Sequence, residues 1–374
     1  MKTNSLQQLE ALGQSIWIDY IKRDMFKSGK LKKLIVEDCL KGMTSNPDIF
    51  EKAIVGSTDY DDAIKELSAA GKDAEQIYTA LTQKDVQDAA DEFRPLYDSM
   101  QGKDGYVSLE VNPHLAHDTN GTIAEARRLW KALNRPNVLI KVPATREGLL
   151  AIRQLISEGI NVNVTLLFGL SRYREVAEAY IAGLEDRIAQ GKPVNHIASV
   201  ASFFLSRIDV LIDPLLEKQS TVNSEKASIA KQLHGQIAIA SAKMAYQIYL
   251  EFVASDQLKQ LIAKGASVQR LLWASTSTKN PNYSDVKYVD SIIGPETVNT
   301  VPLETLNAYR DHGDPKARLQ LDVPKAASCF AQLPELGIQM DNVTQQLEDE
   351  GVAKFTKAYD KLIAALKIAA LKHE

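Results

Sequence analysis

The sequence predicts an α/β fold: a (β/α)8 barrel of the TIM type with extra N- and C-terminal helices. Eight short apolar segments have the character of strands, and a helical pattern follows most of them. Strands that alternate with helices form parallel sheets with right-handed crossovers. The 374 residues of the chain fall within the usual size of this barrel, about 200 to more than 400 residues.

The predicted strands run in order along almost the whole chain and are rich in β-branched and apolar residues. They are 16-IWIDYI-21, 41-KGMTSN-46, 106-YVSLEV-111, 137-NVLIKV-142, 161-NVNVTLLF-168, 196-HIASVAS-202, 270-RLLWAST-276 and 288-YVDSIIG-294. Three connections show apolar residues at helical spacing behind a capping side chain. They are 118-DTNGTIAEARRLWKAL-133, 145-TREGLLAIRQLISEG-159 and 171-SRYREVAEAYIAGLEDRIAQG-191.

Three further segments read as helices outside this regular alternation. Residues 1–15 predict an extra N-terminal helix, and residues near 215–265 predict an extended helical crossover. Residues 351–372 carry apolar side chains at positions 352, 355, 359, 362 and 366, which predicts an amphipathic helix packed on the barrel. No linker rich in Gly, Ser or Pro interrupts the chain, so we expect one domain over residues 1–374.

Composition limits the function. A formal net charge of -4 gives no reason to expect nucleic acid as a partner. No apolar run approaches the roughly 18 residues of a membrane span, and the N-terminus lacks a signal-peptide core. Cys39 and Cys329 lack redox or zinc spacing, so we expect a reduced, cytoplasmic setting and no membrane partner.

Polar side chains gather on one face of several predicted strands. Successive side chains point to opposite faces, so Val162, Val164 and Leu166 share one face of the fifth strand. That apolar face suits the layer between barrel and helices, and the other face points into the barrel. The inward residues near the C-terminal strand ends, where this fold places its chemistry, are Asp19, Glu110, Lys141, Asn163 and Thr165.

Lys141 stands out because it interrupts the apolar strand 137-NVLIKV-142. A lone strand lysine is more often an ion-pair partner, but several inward polar neighbours favour a chemical role here. Desolvation favours the neutral form of a lysine amine, which attacks a ketone to form an imine. The protonated imine is an electron sink that allows an adjacent C–C bond to break.

Such chemistry also needs groups that move protons and groups that hold sugar hydroxyls. Asp19 and Glu110 suit proton transfer. The alternative is that they only neutralise Lys141, although one carboxylate would suffice for one ammonium. Asn46, Asn163 and Thr165 suit hydrogen bonds to hydroxyls.

The loops after strands six and seven suggest an anion site. Arg207 follows the sixth strand, and 274-ASTSTKNP-281 follows the seventh. Late loops of this barrel commonly bind phosphate, and the hydroxyl of Ser275 with the cation of Lys279 suits a phosphate monoester. Each feature alone is typical of an ordinary surface loop.

A metal site and a nucleotide site are both weakly supported. His114 and His117 have an i, i+3 spacing, but no third ligand stands at zinc-site spacing, so a solvated loop is the expected structure. No Gly-rich phosphate loop is present. We predict neither metal nor cofactor.

Six segments together resemble the transaldolases, especially their longer bacterial branch. Each stands at a predicted strand end, and they cover nearly the whole chain in order. They are 42-GMTSNP-47, 108-SLEVNPHLAHDT-119, 137-NVLIKVPAT-145, 161-NVNVTLLF-168, 202-SFFLSR-207 and 272-LWASTSTKNP-281. The resemblance implies a cofactor-free, metal-free barrel of the pentose phosphate pathway. Such an enzyme transfers a dihydroxyacetone unit between sugar phosphates.

The resemblance also implies roles for individual residues. Lys141 matches the Schiff-base lysine, Glu110 the acid/base that works through a water, and Thr165 the hydroxyl that holds that water. Asp19 matches the carboxylate that takes a hydroxyl proton as the C3–C4 bond breaks. The residues that match substrate-binding positions are Thr44, Asn46, Asn163, Ser202, Phe204, Arg207 and Ser275.

One position departs from the shorter branch, which has an arginine where this chain has Ser277; Lys279 is a possible replacement for that charge. The nearest alternative is a fructose 6-phosphate aldolase that releases free dihydroxyacetone. Those relatives have glutamine in place of Glu110 and tyrosine in place of Phe204, so both residues favour transaldolase. A silent sugar-phosphate-binding barrel is a second alternative, which would not need Lys141. A monomer or homodimer is expected.

Overall fold

Eight parallel strands close into a barrel in which each strand pairs with its neighbours in chain order, and β1 pairs with β8. The computed structural model describes residues 4–220 and 225–371. The strands are β1 (Gln14–Asp19), β2 (Gly42–Thr44), β3 (Tyr106–Glu110), β4 (Val138–Pro143), β5 (Val162–Leu167), β6 (Ser199–Phe204), β7 (Arg270–Ala274) and β8 (Thr297–Val301). This architecture confirms the predicted barrel with extra helices.

Helices surround the barrel, and the last of them reaches the cavity at its C-terminal end. They are α1 (Ser5–Ala11), α2 (Asp24–Lys27), α3 (Lys30–Glu37), α4 (Pro47–Val55), α5 (Asp61–Ala69), α6 (Ala74–Ser99), α7 (Thr119–Leu133), α8 (Arg146–Glu158), α9 (Leu170–Ala189), α10 (Ser206–Ser220), α11 (Glu225–Leu233), α12 (Ile237–Ala254), α13 (Asp256–Ala263), α14 (Lys287–Asp290), α15 (Leu303–His312), α16 (Val323–Gln332) and α17 (Met340–Leu371). Short 3-10 helices span Pro113–Leu115 and Leu333–Leu336. No helix in the described ranges combines the length and apolar character that a membrane span requires.

The predicted eighth strand at 288–294 was wrong. Residues 287–290 form α14, and the strand lies further along at Thr297–Val301. In 288-YVDSIIG-294 the buried Tyr288, Val289, Ile292 and Ile293 recur at helical spacing, and none of them exceeds 2% exposure. The true strand, 297-TVNTV-301, is rich in polar side chains that fill the barrel, so its apolar signal is weak.

The two predicted terminal helices differ from the observed ones in extent. Residues 1–15 were expected to be helical, but α1 ends at Ala11, and β1 already begins at Gln14. The crossover expected near 215–265 contains α10 to α13, and α17 begins at Met340, well before residue 351. Parts of these predictions, at residues 1–3, 221–224 and 372, lie outside the described residues.

The N-terminal end of the barrel is closed by a buried ion pair. Arg270 lies 3.0 Å (Nη2 to Oδ1) from Asp104, and both side chains are nearly inaccessible. Ser15 donates to Asp104 at 2.6 Å, and Trp17 donates to it at 3.0 Å. The Trp17 ring lies over Gly42, where any Cβ would come within 2.5 Å of it. This end is therefore occupied by structural side chains, which leaves the C-terminal end for chemistry.

Strand β5 contains a bulge directly after Thr165. Val164 pairs with Ala201, but Leu167 and not Leu166 pairs with Phe203. Leu166 is the extra residue and has a positive φ of 55°. The bulge interrupts the regular alternation on which the expectation for Val162, Val164 and Leu166 rested, and simple alternation cannot anticipate it.

Candidate active site

A cavity of about 480 Å³ opens at the C-terminal ends of the strands. Its wall includes ten of the twelve residues that the sequence predicted: Asp19, Thr44, Asn46, Lys141, Thr165, Ser202, Phe204, Arg207, Ser275 and Lys279. Glu110 and Asn163 flank Lys141 on the neighbouring strands, where the register pairs both of them with it. The barrel thus brings the predicted set together.

Lys141 lies at 3% exposure, with its amine beside two oxygen atoms. Its Nζ donates to the carbonyl oxygen of Ser45 at 2.9 Å and lies 3.2 Å from Oε2 of Glu110. Ser45 is itself held by a 2.8 Å hydrogen bond to the carbonyl of Ser108. The amine is therefore fixed in direction at the inner end of the cavity.

A buried hydrogen-bond chain lies next to Lys141 on β5. Asn163 donates to the hydroxyl of Ser108 at 3.0 Å and accepts from the hydroxyl of Ser202 at 2.6 Å. Asn163 is fully buried, so its amide is committed to these two serines in the described structure. Ser202 is the member of this hydrogen-bond chain that lines the cavity.

Asp19 sits on the opposite wall, where the register pairs it with Thr44. The Thr44 hydroxyl donates to Oδ1 of Asp19 at 2.6 Å and lies 2.8 Å from the hydroxyl of Thr300. Asn46 follows in the same turn, and its side-chain oxygen caps α4 by accepting from the backbone N–H of Ile49 at 3.0 Å. This wall carries hydroxyl and amide groups beside one carboxylate, a pattern suited to a polyol.

Burial controls the protonation of both carboxyl groups. It raises the pKa of Glu110 above the ordinary range, against the opposing pull of the Lys141 charge. It also raises the pKa of Asp19, although the Lys141 charge and the Thr44 hydrogen bond both pull it down. Carboxyl groups with raised pKa values are suited to taking up and returning protons near neutral pH.

Two buried groups at this site lack hydrogen-bond partners among the described residues. Neither oxygen of Glu110 accepts a hydrogen bond of good geometry, although the Lys141 ammonium lies close, and the Thr165 hydroxyl has no partner either. Buried polar groups are normally paired, because an unpaired one costs about 1–3 kcal/mol. Such groups beside a buried amine are available to bind a hydroxyl group or a water molecule.

The far end of the cavity is positively charged. Arg207 has a half-buried guanidinium that makes no ion pair or hydrogen bond within the described part of the chain, and its central carbon lies 5.9 Å from the centre of the Phe204 ring. Burial lowers its pKa, while Asp48 and Glu350 oppose that shift. Ser275 has a positive φ of 53° and its hydroxyl lies 2.9 Å from that of Ser206. A desolvated cation beside a hydroxyl fits an anion.

Comparison with known proteins now identifies the family. A family model described as "Transaldolase/Fructose-6-phosphate aldolase" matches residues 16–366. The chain belongs to the transaldolase family. It is 50% identical over 372 residues to a protein named "Transaldolase" from Trichodesmium erythraeum, covering 98% of each chain. It is 46% identical to "Transaldolase 2" from Nostoc punctiforme and to "Transaldolase" from Saccharopolyspora erythraea, again over 98% of each chain. The resemblance carried by the six sequence segments is confirmed.

The sequence patterns did not predict every residue that lines this cavity. Thr300 was missed because its strand was placed too early in the chain. Asp48 lies one residue beyond the segment 42-GMTSNP-47, and Lys354 lies on α17, whose path across the mouth no sequence pattern reveals. The sequence shows that Asp48 and Lys354 are charged, but it does not show that they lie at the cavity.

The two histidines of the loop after β3 do not converge in this member of the transaldolase family. His114 lies 2.7 Å from a carboxylate oxygen of Asp360, and His117 lies 3.3 Å from one of Glu147. Both histidines are exposed, as expected for a solvated segment. Among the described residues, no group of three or more His, Cys, Asp or Glu side chains is arranged to hold a metal ion.

Proposed function

We propose that this chain transfers a dihydroxyacetone unit from a ketose phosphate to an aldose phosphate, as a transaldolase of the pentose phosphate pathway. The donors are sedoheptulose 7-phosphate or fructose 6-phosphate, and the acceptors are glyceraldehyde 3-phosphate or erythrose 4-phosphate. The observation that carries this proposal is the buried amine of Lys141, aimed at the inner end of a polar cavity whose far end is cationic.

The reaction begins when the neutral amine of Lys141 attacks the ketone carbon of the donor. The resulting carbinolamine loses water to give a protonated imine, with Glu110 returning the proton that the leaving hydroxyl needs. Thr165 holds the water molecule through which Glu110 acts. The raised pKa of Glu110 supports this role, because the group must carry a proton in one step and release it in another.

Asp19 then accepts the proton of the C4 hydroxyl as the C3–C4 bond breaks. The bonding electrons pass into the imine, which becomes an enamine, and the C4 carbon leaves as an aldehyde. The acceptor aldehyde takes its place, the enamine carbon attacks it, and Asp19 returns the proton to the new hydroxyl. Hydrolysis of the imine releases the product and regenerates the amine.

Binding groups divide along the length of the cavity. Thr44, Asn46 and Ser202 hold the hydroxyls of the three-carbon unit. Asn163 orients Ser202 and Ser108 through its two hydrogen bonds. Arg207 and Ser275 bind the phosphate, with Lys279 nearby, where it donates to Ser277 at 2.7 Å. The mechanism assigns no role to a metal or cofactor.

Release of free dihydroxyacetone is the alternative that the family description includes. It is not favoured, because the relatives compared above carry the name transaldolase. Glu110 and Phe204 stand where the aldolase branch has glutamine and tyrosine, and the Phe204 ring, packed 5.1 Å from that of Phe168, has no proton to donate.

Borohydride trapping tests the proposed chemistry directly. Incubation with fructose 6-phosphate followed by borohydride should add a reduced dihydroxyacetone unit to Lys141, located by peptide mass analysis. Lys141→Ala should remove the adduct while circular dichroism shows a folded barrel. A coupled assay with fructose 6-phosphate and erythrose 4-phosphate should show transfer. Trapping at another lysine, or no transfer by the wild-type chain, would refute the proposal.

A further inference from the structure

The last helix of the chain supplies part of the cavity wall. Lys354 and Phe355 on α17 face the cavity, although they are far in sequence from the strands that carry the chemistry. Two polar side-chain contacts just beyond them link the helix to the rest of the barrel. Lys361 contacts Glu51 of α4 at 2.7 Å, and Asp360 contacts His114 at 2.7 Å. The position of Lys354 over the mouth is therefore set by the packing of the helix.

Gly351 lies one turn before Lys354, at the point where α17 packs against β5. It lies directly over the bulged residue Leu166 of β5, and a Cβ at this position would be 2.9 Å from its Cδ2 atom. A side chain at residue 351 would have to displace this buried methyl group of Leu166. The packed helix holds Lys354 near the rim of the cavity, where its side chain remains partly exposed.

The ion pair that Lys354 makes is weak. Its Nζ lies 4.0 Å from Oδ2 of Asp48, and the same oxygen accepts from Lys52 at 2.8 Å. The Asp48 carboxylate thus lies close to two lysines, and Lys354 is the more distant of them. Lys279, by contrast, donates to the hydroxyl of Ser277 within its own loop at 2.7 Å. Lys354 is therefore not committed to a close ion pair among the described residues and can take a new anionic partner.

Cations exceed anions along the cavity wall. The positively charged members are Lys22, Lys52, Lys141, Arg207, Lys279 and Lys354, and the acidic members are Asp19, Asp48 and Glu304. Burial lowers the pKa of Lys354, and the charges of Arg207, Lys52 and Lys279 lower it further, while Asp48 opposes them. A bound dianion would relieve this repulsion between cations.

We propose that Lys354 binds the phosphate of the sugar phosphate together with Arg207, as the second cation of the phosphate site. This inference rests on the proposed function and extends it, because it places a substrate-positioning residue on the C-terminal helix. It also accounts for Ser277 standing where the shorter branch has an arginine: the second charge comes from α17 and not from the loop after β7.

Steady-state kinetics with a matched control test this assignment. Lys354→Gln should raise the KM for fructose 6-phosphate about tenfold, the lower end for a charged hydrogen bond, because the side chain is 52% exposed. The inhibition constant of inorganic phosphate should rise in parallel. Trapping of unphosphorylated dihydroxyacetone by borohydride should stay at the wild-type level, and Lys354→Arg should restore most of the KM.

The control is Lys357→Gln, which removes an exposed lysine one turn further along the same helix. Its KM should stay within twofold of wild type. The proposal is overturned if Lys354→Gln behaves like Lys357→Gln, or if Lys279→Gln alone shows the phosphate-specific loss. Failure of the wild-type chain to catalyse transfer would instead remove the proposed function, so the two failures are distinguishable.

Discussion

At the scale of single residues, the site combines one amine with two carboxyl groups. Burial has raised the proton affinity of both carboxyl groups. Lys141 lies 3.2 Å from Glu110. The pKa of Glu110 is nevertheless raised, as is that of Asp19, so desolvation outweighs the nearby positive charge at both positions. An ordinary ion pair would do the opposite and hold the carboxyl pKa down. The environment is therefore arranged for proton transfer more than for charge neutralisation.

Thr44 should control the acid limb of the pH profile through Asp19. In the proposed mechanism Asp19 must be ionised to accept a hydroxyl proton, so kcat/KM should fall as the pH drops through its pKa. The Thr44 hydroxyl donates to Asp19 and lowers that pKa. Thr44→Val removes this hydrogen bond, so the pKa rises further and the acid limb moves to higher pH.

The matched control for this experiment is Thr276→Val. The Thr276 hydroxyl donates to Asn299 and to the carbonyl of Thr300, and not to Asp19. Its acid limb should stay in place. A shift of the Thr44→Val limb to lower pH, or the same shift in both variants, would show that Asp19 does not set the limb.

Phe204 should control the partition between transfer and release. In the proposed mechanism, the three-carbon unit stays on Lys141 as an enamine after the first aldehyde leaves, and release requires a proton on its carbon followed by hydrolysis. Phe204 is 7% exposed and carries no hydroxyl to orient a water molecule. Phe204→Tyr should raise the rate of free dihydroxyacetone formation from fructose 6-phosphate and lower transfer to erythrose 4-phosphate. An unchanged ratio of the two rates, with Lys141 still trapping substrate, would exclude this role.

At the scale of elements, alternation along the strands predicted the inward residues well wherever the strands were regular. Glu110, Lys141 and Asn163 stand side by side because β3, β4 and β5 pair without interruption up to that level. The prediction failed at β8, whose polar residues fill the barrel. The bulge at Leu166 breaks the period of two, and no pattern in the sequence announced it. The roles of Thr300 and Lys354 depend on these irregularities and on the packing of α17, neither of which a periodic pattern encodes.

Gly351 shows how the C-terminal helix and the β5 bulge depend on each other. The sequence suggested that a helix begins at this glycine, but α17 runs through it from Met340. An added methyl group would gain about 1 kcal/mol of helix propensity. It would also press on Leu166, which is 1% exposed and already has a positive φ, and overpacking of this kind costs about 1–3 kcal/mol.

We therefore expect Gly351→Ala to be net destabilising and to lower kcat, since Leu166 is bonded directly to Thr165. The measurements are the urea midpoint and the steady-state kinetics. Ala353→Gly, at an exposed position on the same helix, serves as control; it should lose stability through propensity alone and keep its kcat. Greater stability of Gly351→Ala with normal kcat would show that the helix does not clamp the bulge.

At the scale of the whole molecule, the two ends of the barrel have separate tasks. The C-terminal end holds the cavity, while the N-terminal end holds the Arg270–Asp104 pair and its hydrogen bonds to β1. Asp104 accepts hydrogen bonds from Ser15 and Trp17 on β1 and from Arg270 on β7, the two strands that flank β8. These contacts tie the first and seventh strands to the loop before β3, so they should affect stability without touching catalysis.

Arg270→Met should accordingly destabilise the barrel by about 3–5 kcal/mol, because it leaves the Asp104 carboxylate buried without its cation. The urea midpoint should fall clearly, while kcat/KM, measured where the variant is still folded, should stay near the wild-type value. Arg94→Met breaks an exposed pair of 2.8 Å with Asp98 on α6 and should barely move the midpoint.

A double variant separates the pair from its surroundings. Arg270→Met with Asp104→Asn removes both charges, so its loss of stability should be smaller than the sum of the two single losses. The amide oxygen that Asp104→Asn introduces can still accept a hydrogen bond from Ser15 or Trp17, which keeps a link to β1. Additive losses would mean that the two charges act independently. A large fall in kcat/KM in a stable Arg270→Met variant would show instead that the N-terminal end of the barrel is coupled to catalysis. That result would contradict the separation of stability and catalysis between the two ends of the barrel.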